Sequence, residues 1–364
     1  ERKLVVMNAD LAPSRRLHAT DGHARSLFNE LARNVSTRSK PQGGALTSIV
    51  ERFVGDILQE AKKGGMDIEE AIQQKLAPLR DLVSGLDFAT VLARYTKAYD
   101  DGDEGGKTAA FRWLRAESGT RTQARTALGV REIIDDDRFY DYLKLYGAFV
   151  RLAGYGGLVV VLDEMVNLYK LTNAQARNSN YEQILRILND VLQGGASGIG
   201  FLMGGTPEFL MDTRRGLYSY SALQSRLAEN RFAQGVLVDL SGPVLRLQNL
   251  TPEDLYILLT NIRNVFAGGD PTRYLLPDDA LKAFMTHCSL KIGDAYFRTP
   301  RNTVTAFVNL LSVLEQNPGT QWQALLDGVE ITTATPDEAE LAATVPPAAG
   351  QGASSGDQLT AFKL

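Results

Sequence analysis

A chain of 364 residues with 44% hydrophobic content is long enough for one large domain or two ordinary ones, and it can bury a sizeable core. A formal charge of -4, from 39 basic and 43 acidic residues, neither demands nucleic acid nor excludes it, since a basic face can sit on a near-neutral whole. The single cysteine, Cys288, excludes an intrachain disulfide framework and a thiolate zinc cluster. No run reaches the roughly 18 apolar residues of a membrane helix, and the first residues carry no signal-peptide pattern, so a cytoplasmic protein without a membrane partner is expected.

Glu1-Arg2-Lys3 leads at once into the apolar run Leu4-Val5-Val6-Met7, so the chain is expected to begin inside a domain. Residues 3 to 8 read as a short buried strand ending in Asn8-Ala9-Asp10, because a compact apolar run bounded by polar turn formers suits a parallel sheet. A helix follows around Gly22 to Asn34. From about residue 45 to 153 the pattern is helical throughout, with three-and-four spacing in Ile49-Phe53-Ile57 and in Tyr140-Leu143-Leu145-Phe149. A second strand is predicted over Gly157 to Leu162, a helix over about Tyr181 to Gln193, and a third strand over Ile199 to Met203. This alternation is that of a doubly wound sheet.

Val236 to Leu240 and Val244 to Leu247 predict one or two further strands. Thr251-Pro252-Glu253-Asp254-Leu255 then opens a helix, with a capping threonine, proline at the first helical position and acids in the first turn. Helical pattern continues to about Glu330. Beyond it, residues 333 to 364 turn to Thr, Ala, Pro, Gly and Ser and are expected to be a flexible tail.

The chemistry starts at Leu158-Val159-Val160-Val161-Leu162-Asp163-Glu164. An apolar strand ending in adjacent acids suits nucleotide hydrolysis: the first carboxylate can hold Mg²⁺ and the second can orient or deprotonate the attacking water. The same pattern also fits a buried strand that ends in two solvated acids. Context favours the first reading, because the next strand runs into Gly204-Gly205-Thr206-Pro207-Glu208 and delivers a hydroxyl at the edge where open sheets bind ligands. Thr206 is placed as a γ-phosphate or water sensor, or as the cap of a helix starting near Pro207. Arg226 and Arg231 end a helical stretch, and either could act as an arginine finger. Arg301, with Arg298 as the alternative, precedes an apolar helix from which an arginine could reach nucleotide phosphates.

Gly102-Asp103-Glu104-Gly105-Gly106-Lys107-Thr108 mimics a phosphate loop, but Asp101 stands where the first glycine belongs and the preceding residues read as a polar helix. His18 and His23 stand five apart without a thiolate, which is not the four-residue zinc spacing. Asp135-Asp136-Asp137 reads as the N-terminal cap of a neighbouring helix.

Acidic strand, sensor strand, finger arginine and a helical region with its own arginine resemble the AAA+ branch of P-loop ATPases. More narrowly, the chain resembles the ATP-binding proteins of bacterial BREX phage-defence systems over about residues 3 to 330. The segments that carry this are Asn8 to Leu17, Phe111-Arg112-Trp113-Leu114-Arg115-Ala116-Glu117, Val161-Leu162-Asp163-Glu164 with Leu168-Tyr169, Gly204 to Glu208, and Arg226-Leu227. The resemblance implies a strand and a Gly-rich Lys-Ser/Thr loop upstream of residue 1, which this sequence does not contain.

The expected fold is α/β: an AAA+-like P-loop NTPase core over residues 1–250 with a parallel sheet and the helical insertion 45–153, then a helical lid over 251–332. The expected function is an ATP-binding and ATP-hydrolysing switch or motor subunit in a phage-defence complex, using ATP and Mg²⁺. Asp163 would serve as metal ligand, Glu164 as base, and Thr206, Arg226 or Arg231, and Arg301 or Arg298 as phosphate contacts. Other defence-system proteins and a homo- or hetero-oligomer are the expected partners. The alternative is a non-hydrolysing scaffold that binds proteins or DNA, with Arg15, Arg16, Arg112, Arg115, Arg121 and Arg125 facing phosphates.

Overall fold

Three apolar runs build one parallel sheet: β1 (Leu4–Asp10), β2 (Gly157–Asp163) and β3 (Ile199–Met203), in the spatial order β1-β2-β3. The computed structural model describes residues 3–228, 230, 240–292 and 300–328. Val5, Met7, Leu158, Val160 and Leu162 are almost wholly buried, as expected for parallel strands covered by helices. Contact clustering divides the chain into two units, Glu1–Ser225 and Arg226–Leu364.

Seven helices separate β1 from β2: α1 (His23–Arg33), α2 (Leu46–Gly64), α3 (Ile68–Arg80), α4 (Gly85–Asp101), α5 (Glu104–Leu114), α6 (Arg121–Leu128) and α7 (Phe139–Leu152). Local caps set several of their starts. Asp67 accepts the Glu69 N–H at 3.0 Å, Asp103 accepts Gly106 at 3.0 Å, and Thr120 accepts Gln123 at 3.2 Å. Aromatic side chains lock the group together. Phe28 of α1 meets Tyr142 and Tyr146 of α7 edge-on, and Phe88 of α4 meets Trp113, Tyr146 and Phe149, with ring centroids 5.4 to 6.2 Å apart. Helix α7 also packs on the sheet, where Gly147 lets Ile199 approach closely.

After β2 come α8 (Val166–Tyr169) and α9 (Ala174–Leu192); after β3 come α10 (Pro207–Met211) and α11 (Ser221–Arg226). The α9 helix begins earlier than its apolar periodicity suggests, because Asn173 accepts the Ala176 N–H at 3.0 Å and caps it there.

The second unit holds α12 (Pro252–Phe266), α13 (Asp278–Ile292), α14 (Pro300–Gln316) and α15 (Trp322–Gly328) around Leu259, Leu281, Phe284, Phe307 and Leu311. Thr251 and Asp254 form a reciprocal capping box at α12, as the sequence predicts. Arg263, 5% exposed, donates to the Leu276 carbonyl at 2.9 Å and to Asp278 at 2.7 Å, pinning α12 to the start of α13.

Two strand expectations end differently. Val244–Leu247 forms no strand: no described strand lies beside it, and a strand without a ladder partner does not hold on propensity alone. The run 236–239 and the tail 333–364 lie outside the described residues. Among the described residues no helix is long and apolar enough to cross a membrane.

Candidate functional site

The carboxyl ends of β1, β2 and β3 form one edge, and the sheet brings Asp163, Glu164 and Thr206 to it. Asp163 closes β2 and Glu164 follows it, both exposed. Glu164 is left-handed, with φ 56°, a conformation that costs a non-glycine residue about 1 kcal/mol and is kept where the surroundings over-determine it. Asp163 Oδ1 accepts the Glu164 N–H at 2.8 Å.

Thr206 occupies the N-cap position of α10, yet its hydroxyl makes no cap hydrogen bond. Its Oγ1 is shielded from solvent and has no hydrogen-bond partner, as are both carboxylate oxygens of Glu208 two residues on. A buried polar atom without a partner costs about 1–3 kcal/mol, so it is normally paired. The cap and sensor roles that the sequence leaves open for Thr206 therefore separate, because its hydroxyl is not engaged by the helix. Tyr169, at the end of α8, donates to Asp212 at 2.9 Å and lies under the Arg215 guanidinium. That hydrogen bond raises the Tyr169 pKa, while backbone donation from Arg214 lowers that of Asp212.

One residue escapes the sequence pattern. Asp10 ends β1 in register with Asp163, so two acids stand on neighbouring strands about 4.8 Å apart with side chains on the same face. The signal was the matching position of the two acids at two strand ends, visible only once the strands are aligned.

The arginines divide. Arg226 ends α11 and Arg301 lies in the first turn of α14, both exposed and both in the second unit, while Arg231 and Arg298 lie outside the described residues. Among the arginines of the scaffold alternative, Arg15 pairs with Glu30 at 3.3 Å, Arg121 pairs with Asp135 at 3.0 Å, and Arg115 lies over the Phe111 ring. Arg112 of α5 and Arg125 of α6 are exposed.

The Gly102 to Thr108 segment is no phosphate cradle. Gly102 ends α4 in a left-handed conformation, the Asp103 carboxylate fills the N-terminus of α5, and Lys107 pairs with Glu104. Asp136, within the acidic run, does not cap the neighbouring helix that the sequence suggests: neither α7 nor the short turn before it has a side-chain cap, and the carboxylate instead caps the sequence-distant α1, accepting Gly22 at 2.6 Å and Arg25 at 2.7 Å.

A two-carboxylate edge with an unengaged hydroxyl fits Mg²⁺, which takes one or two protein carboxylates and completes its shell with water and substrate phosphates. Comparison with curated proteins and with solved structures finds no match. The sequence model of one family, BREX system ATP-binding protein BrxC/D, spans residues 1–330, and on that match the chain belongs to this family.

Proposed function

We propose that this chain is the core of an AAA+-type ATP-hydrolysing switch or motor within a phage-defence complex. Its family is one of ATP-binding proteins of BREX systems. The observation that carries the hydrolytic reading is the Thr206 hydroxyl, buried and unpaired just beyond the end of β3, the strand that pairs with the one Asp163 closes. Asp163 holds Mg²⁺, Glu164 polarises the attacking water, and Thr206 reads the γ-phosphate. Arg226 or Arg231 supplies charge to a neighbouring subunit's nucleotide, which makes oligomerisation part of the reading.

The phosphate cradle itself is absent from the sequence of residues 1–364. The sheet offers a place for it. Val6 bridges to Ser36 on the outer edge of β1, whereas β3 pairs only with β2 among the described residues and leaves Leu202 60% exposed. A further parallel strand at that edge would create the reversal of strand order at which open sheets bind ligands.

The test is ATP turnover by the full-length protein. Glu164→Gln is expected to cut turnover by about 10²-fold or more while nucleotide binding survives. Unchanged turnover in this variant would sink the mechanism.

A further inference from the structure

The end of β2 does not follow the regular ladder. In parallel pairing, the two main-chain groups of one residue bond to residues that flank a single partner. Gly204 donates to the Leu162 carbonyl at 2.8 Å, so the Glu164 N–H is due to bond the Gly204 carbonyl. It is the Met165 N–H that occupies this carbonyl instead, at 3.0 Å. Glu164 is thus an extra residue, a β-bulge in the left-handed conformation. Its displaced N–H is held by Asp163 Oδ1 at 2.8 Å. Room for that carboxylate exists because residue 204 is glycine: a Cβ there would collide with Asp163 Oδ1.

We infer that Asp163, Glu164 and Gly204 form a two-state latch, in which a divalent cation at Asp163 releases the Glu164 N–H to the Gly204 carbonyl and so turns the Glu164 side chain. This rests on the reading of Asp163 as a cation ligand. The bulged state needs an Asp163 oxygen as acceptor, and a cation competes for the same lone pairs. The regular ladder offers the N–H a second acceptor, the Gly204 carbonyl, which the Met165 N–H then yields, and returns Glu164 to extended backbone, where consecutive side chains point to opposite faces. Gly204 and the backbone of Glu164 are therefore positioning elements: they couple metal loading to where the water-polarising carboxylate points.

Two variants separate backbone from carboxylate. Glu164→Gln keeps the β-carbon and its left-handed cost; Glu164→Gly removes that cost and so favours the bulged, cation-free state. In the full-length protein, Mn²⁺ affinity measured by electron paramagnetic resonance with ATPγS present is expected to be roughly fivefold weaker or more in Glu164→Gly than in Glu164→Gln, the left-handed cost expressed as a ratio. In a Gly204→Ala background this difference should vanish. Gly200→Ala, whose Cβ meets nothing within 4 Å, should leave it intact. Equal Mn²⁺ affinities of the Gln and Gly variants overturn the latch, while the hydrolytic reading still stands or falls on turnover of Glu164→Gln. Wild-type protein that binds no Mn²⁺ overturns both.

Discussion

The Asp136 carboxylate accepts the backbone N–H of Arg25 at 2.7 Å, joining the first turn of α1 to the segment that leads into α7. Gly22, at the cap position of α1, brings no side chain of its own, so the acceptor comes from 111 residues away. Asp136→Ala is expected to cost about 1 kcal/mol, the usual worth of a cap, and urea denaturation of the two proteins checks it. A variant as stable as wild type would mean that water replaces the carboxylate at no cost.

Thr206→Val removes the hydroxyl and nearly keeps the shape. Because Oγ1 is shielded, makes no cap bond and has no partner, Thr206→Val is expected to be about 1 kcal/mol more stable than wild type, the relief of an unpaired polar atom. Turnover is expected to fall by about tenfold or more if the hydroxyl meets phosphate or water in the transition state. Paired melting and turnover measurements decide it: a large loss of stability would return Thr206 to the capping role.

Much of this could be read in the residues, and the exceptions have physical causes. The apolar runs at β2 and β3, the Thr251 box and the helices between β1 and β2 are local patterns, and local patterns survive into the structure. Val244 to Leu247 carries the same apolar signal, but among the described residues no strand pairs with it. The Asp136 cap, the pairing of Asp10 with Asp163 and the left-handed Glu164 depend on residues brought together from far along the chain. No window of sequence contains them.

Gly85 opens α4 at a position where a Cβ would strike the Leu79 carbonyl at the end of α3. Gly85→Ala is expected to destabilise the α3–α4 hairpin by about 1–3 kcal/mol, since backbone rather than a flexible side chain must give way. Hydrogen exchange over residues 68–101 should accelerate while that of the sheet stays unchanged. Uniform acceleration across the chain would refute a local effect.

Burial pushes the Cys288 thiol up from 9.0 to about 12. Between those values the unfolded chain releases a proton that the folded one keeps, so stability contributed by the neutral thiol is complete below pH 9 and lost as pH rises toward 12. Cys288→Ala should flatten the pH dependence of unfolding across this window. In wild type, iodoacetamide should label the thiol slowly at neutral pH and quickly after denaturation.

The pairing of β1 with β2 has a consequence for the order of folding. Asp10 and Gly157 end up on adjacent strands although α1 to α7 lie between them, so the ladder closes a very long loop. Closure of that kind is entropically costly and slow unless the intervening chain has already condensed. The helical insertion can act as a clip, since Asp136 ties its far end to α1. Pulse-labelled hydrogen exchange should find the amides of α7 protected earlier than those of Val6 and Val159. The acidic edge would then appear late, only after the helices that frame it have condensed.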